Sequence, residues 1–102
     1  MKKIINGKMY NTDTAEYLDG WSNGVGCSDF RYCNECLYRK KTGEFFLDGE
    51  GGPMTKYAQR CGDGWYCGGE IITPLTEAEA KKWAEEHMDP DKYIQVFGPV
   101  AE

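Results

Sequence analysis

Residues 76–98, TEAEAKKWAEEHMDPDKYIQVFG, carry the sharpest periodic pattern in the chain, and their position at its end decides the fold class. Thr76 followed three residues later by Glu79 is a capping box, in which hydroxyl and carboxylate each satisfy a backbone donor at a helix start. At 100° per residue, Ala80, Trp83, Ala84, His87 and Met88 share one face, and Lys81, Lys82, Glu85 and Glu86 share the other. Asp89-Pro90 ends this helix and opens another, with Asp as N-cap and Pro at the first helical position. Tyr93, Ile94 and Phe97 form the apolar stripe of the second helix, which stops at Gly98-Pro99.

Everything upstream reads as strand and turn. EIIT (70–73) is a short strand, and residues 49–69 are glycine-rich and read mostly as loop. Residues 30–40 favour extension, Thr42-Gly43 turns the chain, and EFFLDG (44–49) returns it as a second hairpin whose basic tip is Arg39, Lys40 and Lys41. Alternation in the first arm is imperfect, which predicts a bulge near Asn34. Residues 15–29 begin as a strand or half-turn and become loop. Asn6-Gly7, between strands near 3–5 and 8–12, is the strongest short hairpin signal. Strands first and helices last predict an α+β fold: an antiparallel β-sheet built from two hairpins plus a further strand, with two short C-terminal helices packed on one face. Residues 1–102 form one domain, whose core includes Phe45, Leu47, Ile71, Trp83, Ile94 and Phe97.

With 102 residues, 40% of them hydrophobic, the chain can bury a single core that needs neither metal nor disulfide. The start MKKIINGKMY breaks its apolar run at Asn6 and Gly7, and nothing approaches a membrane span of roughly 20 apolar residues. The expectation is a cytoplasmic protein with reduced cysteines. Net charge is −5; residues 1–68 hold nine acidic and nine basic side chains, so the last third carries the whole excess. Direct nucleic-acid binding is not expected of such a chain, because phosphate affinity comes from Lys and Arg. Docking on a basic surface is, through Glu77, Glu79, Glu85, Glu86, Asp89 and Asp91 around the two helices.

Site chemistry does not assemble from the remaining motifs. Cys33-x-x-Cys36 has the spacing of half a zinc site, with Cys61 and Cys67 as the other half. Against that alternative, the second pair is spaced too widely and Cys33 and Cys36 face opposite ways on a regular strand. Free buried or half-buried thiols, and no metal or other cofactor, are the expectation. DGEGGPM (48–54) lacks the Lys-Ser/Thr of a phosphate loop. The single histidine, His87, lies on an apolar helix face with no second histidine to support a catalytic pair. The helix carboxylates stand at i, i+4 from lysines, Glu77 with Lys81 and Lys82 with Glu86, as in exposed ion pairs.

Four stretches, INGKMYNTDTAE (5–16), LYRKKTGEFFLDGEGGPM (37–54), GGEIITPLTEAEAKKWAEE (68–86) and YIQVFG (93–98), resemble a family of small proteins of Firmicutes mobile elements and prophages. The resemblance runs over nearly the full chain. Some small proteins of this kind are anti-CRISPR inhibitors of the type II RNA-guided nuclease. The resemblance therefore implies a non-enzymatic inhibitor, not an enzyme, whose partner is a CRISPR-Cas effector nuclease and which blocks guide RNA loading or target DNA binding. It carries no motif of functional residues. Two alternatives differ in class: a zinc- or thiol-containing interaction module, and an enzyme that modifies guide RNA or effector.

Overall fold

The computed structural model describes residues 1–102. Its elements are β1 (Lys2–Ile5), β2 (Lys8–Asn11), β3 (Glu16–Ser22), β4 (Cys33–Arg39), β5 (Phe45–Gly51), β6 (Gln59–Gly62), β7 (Trp65–Cys67), β8 (Gly69–Leu75), α1 (Glu77–His87) and α2 (Pro90–Phe97). Asn6 and Gly7 both take positive φ, 52° and 77°, the turn whose twist matches a two-residue hairpin between β1 and β2. β3, β4, β5 and β8 form an antiparallel four-stranded sheet in that order, while β6 and β7 pair only with each other. The fold is α+β, and no helix is long and apolar enough to cross a membrane.

The sheet buries its two faces differently. Phe45 and Leu47 alternate with Phe46 and Asp48, so the first pair turns to the helices and the second away from them. On the helix side Leu18, Leu37, Phe45 and Leu47 meet Ala80, Trp83, Ala84 and Met88 of the α1 region. The Thr76 capping box is formed in both directions, which fixes where α1 starts and hence which of its faces meets the sheet. On the other side Phe46, fully buried, and Ile72 pack against Tyr10 of β2. The β1–β2 hairpin therefore caps the Phe46 end of that face.

Four expectations are corrected. The bulge lies on β3, between Tyr17 and Asp19, and β4 pairs with β5 without interruption. That bulge lets Leu18 enter the helix-side core while Tyr17 sits edge-on to Tyr38 at 5.7 Å. Residues 15–29 begin as a strand, β3, and become loop as expected, whereas residues 49–69 are not mostly loop but hold the end of β5 and the β6–β7 hairpin, whose Gly64 supplies the positive-φ position. Ile94 is 41% exposed, because the inward stripe of α2 is Tyr93, Val96 and Phe97, and Ile94 stands one position off it. Ile71 is half-buried, and its neighbour Ile72 is the buried residue.

Candidate functional site

Glu35 is the one buried charged residue, 2% exposed, and strand alternation aims it at the helix side between Cys33 and Leu37. The Trp83 indole Nε1 of α1 donates to it at 3.0 Å, and the Tyr57 hydroxyl donates to its other oxygen. Lys56 Nζ stands 2.7 Å away but is 65% exposed. Gly49 faces Glu35 across the β4–β5 ladder, and a Cβ there would run into the Tyr57 ring; the glycine is what lets the tyrosine lie over the sheet. Burial alone pushes the Glu35 carboxyl up, but donors from Lys56, Tyr57 and Trp83 outweigh it and hold the group below the ordinary carboxylate value. The Tyr57 hydroxyl is pushed far up, by burial and then by the carboxylate beside it. With all its donors engaged, Glu35 ties the 52–58 connection and α1 to the sheet.

The outward phase of β5 places a second carboxylate group on the open part of the other face. Glu70 stands directly opposite Glu50 and diagonally from Asp48 across β5–β8. Burial, then hydrogen bonding to the Glu70 carboxyl, pushes Asp48 up to about 6, and Asp48 Oδ1 is buried with no partner. The Tyr32 hydroxyl donates to Glu50 at 3.1 Å. Cys36, opposite Asp48, has its thiol pushed up by burial and then by Asp48, Glu50, Asp19 and Glu70. None of Asp48, Glu50 and Glu70 stands within ion-pair distance of a basic group.

Of the helix acids singled out from sequence, all six are exposed, but they are not equally free. Glu77 pairs with Lys81 at 4.0 Å. Glu79 is committed to the capping box, accepting from the Thr76 backbone N–H at 2.9 Å, which lowers its pKa. Glu86 lies 3.7 Å from His87 rather than on Lys82. Glu85, Asp89 and Asp91 have no basic partner, and Asp89 makes no side-chain cap bond to α2. His87 itself is held between the indoles of Trp21 and Trp83, with ring centroids at 4.6 and 5.0 Å.

The cysteines are also corrected. Cys61 and Cys67 are joined in a disulfide across β6–β7, with Cα atoms 5.8 Å apart, so they are neither free thiols nor metal ligands. Hairpin pairing brings them together: Gln59 faces Cys67, and the register slips between Arg60 and Gly62, at Cys61. Cys33 is buried on the helix side and Cys36 half-buried on the opposite face, so the four-cysteine zinc alternative does not form. No cluster of three or more His, Cys, Asp or Glu side chains is placed to hold a metal ion. The basic tip is largely spent within the fold. Arg39 binds Glu16 and the Val96 carbonyl, and Lys40 lies 3.8 Å above the Tyr10 ring.

Sequence reading found the helix acids and missed both sheet-borne groups. The signal for Glu35 was its phase with Cys33 and Leu37; for Glu50 and Glu70 it was the pairing of β5 with β8. No protein-family model, curated protein or solved structure matches the chain.

Proposed function

We propose that the chain is a non-enzymatic inhibitor that docks on a strongly basic protein surface, with a type II CRISPR-Cas effector nuclease as its partner. The observation that supports this reading is a set of carboxylates without basic partners: Asp48, Glu50 and Glu70 on the sheet, and Glu85, Asp89 and Asp91 around the helices. Effector nucleases of this type hold guide and target nucleic acid in positively charged channels. An acidic domain that enters such a channel competes with nucleic acid, gaining long-range attraction and a faster on-rate from charge complementarity.

The test is guided DNA cleavage by a type II effector with and without a molar excess of the protein. The parent protein inhibits. Charge reversal of Glu85, Glu86 and Asp91 to Lys weakens inhibition, roughly tenfold at low salt and less at high salt, mainly through the on-rate. Reversal of Glu50 and Glu70 to Lys reports separately on the sheet face. Undiminished cleavage under a large excess of parent protein overturns the proposal. Covalent change in guide RNA or effector, seen on a denaturing gel, replaces it with an enzyme.

A further inference from the structure

We propose that the β6–β7 hairpin is a redox-gated element in which the Cys61–Cys67 bond orders the aromatic pair Trp65 and Tyr66. Every residue from Gln59 to Cys67 is exposed, and Trp65 and Tyr66 remain 72% and 61% exposed. The two strands hydrogen-bond to each other and not to the four-stranded sheet. The hairpin therefore has no buried side chain to hold it, and a lone two-stranded hairpin is only marginally stable in water. The restraint left is the disulfide, which spans a sequence separation of six and closes the hairpin around its Gly62-Asp63-Gly64 turn.

The same exposure leaves the bond open to reductants. A thiolate of a dithiol reductant attacks one of the two sulfurs and forms a mixed disulfide; its second thiolate then displaces the protein. The reductant leaves oxidised as its own disulfide, and Cys61 and Cys67 become thiols by taking up its two electrons and two protons. Neither core cluster includes a hairpin residue, so the loss of order stays local. Opening the closed loop raises the disordered population of the hairpin on the order of 50-fold on the chain-entropy account of so short a loop.

The experiment compares the full chain in its oxidised form with the same chain in excess dithiothreitol. Mass analysis after alkylation counts three thiols in the oxidised form, Cys27, Cys33 and Cys36, and five after reduction. Trypsin cleavage after Arg60 and chymotrypsin cleavage after Trp65 and Tyr66 accelerate by roughly 50-fold on reduction, while the core, which contains no hairpin residue, still unfolds in a single cooperative urea transition. The variant C61S/C67S is cleaved at the reduced rate without reductant. Equal cleavage rates in the two forms overturn the proposal, as do five alkylatable thiols in air-oxidised protein or loss of the cooperative core transition on reduction.

Discussion

Truncating Glu35 to alanine removes the acceptor of two buried donors at once, the Tyr57 hydroxyl and the Trp83 indole N–H, and leaves Lys56 free to move into water. Each orphaned buried donor costs about 1–3 kcal/mol. The Lys56 contact adds at most about 1 kcal/mol, because its ammonium is mostly solvated. Glu35→Ala is therefore expected to lose about 4 kcal/mol, within the range of about 3–5 kcal/mol for breaking a buried charged cluster. That is a large share of the whole stability of a domain this size. Glu35→Gln keeps the volume and one acceptor but gives up charge-assisted bonding, and loses about 2 kcal/mol. Urea unfolding at pH 7, followed by tryptophan fluorescence, measures both. A double-mutant cycle of Glu35→Gln with Tyr57→Phe isolates the shared bond, with an expected coupling above about 1 kcal/mol. The pH dependence has a definite sign: the folded carboxyl titrates below its ordinary value of 4.5, so the contribution is complete above 4.5 and disappears as pH falls through the folded value. A loss under about 1 kcal/mol for Glu35→Ala, or strict additivity in the cycle, would refute the account of Glu35 as the tie between sheet, connection and helix.

Asp48→Asn is expected to stabilise the protein at pH 7.5 by about 1–2 kcal/mol, discounted for partial exposure. Folding raises its carboxyl from 3.8 to about 6, so the penalty on the charged form is complete above 6 and is relieved as pH falls through 6 toward 3.8. Thermal unfolding at pH 7.5 and at pH 4 checks this, and the variant's advantage disappears at the lower pH. Gly49→Ala drives a Cβ into the Tyr57 ring and is expected to cost about 1–3 kcal/mol as overpacking. Combined with Tyr57→Ala, which empties the same space, it costs much less than the sum of the two single changes, as urea unfolding of the three variants shows.

What was legible in the sequence was local in origin. The Asn6-Gly7 turn, the Thr76–Glu79 box and the 3.6-residue spacing of Ala80, Trp83 and Ala84 each involve residues a few positions apart. Their preferences act before tertiary contacts form, so the α+β order of strands then helices followed from them. Tertiary structure decided what depends on pairing between distant segments. Glu35 meets Trp83 across 48 positions, and Glu50 meets Glu70 only because β8 joins the sheet beside β5. Ile94 turned outward because the seat of α2 on the core took the i, i+3, i+4 stripe Tyr93, Val96 and Phe97 and left Ile94 beside it. Cys61 and Cys67 lie close in sequence, yet their bond required a hairpin in a glycine-rich stretch that reads as loop. A marginal hairpin is fixed by its cross-link rather than by the propensities of its residues.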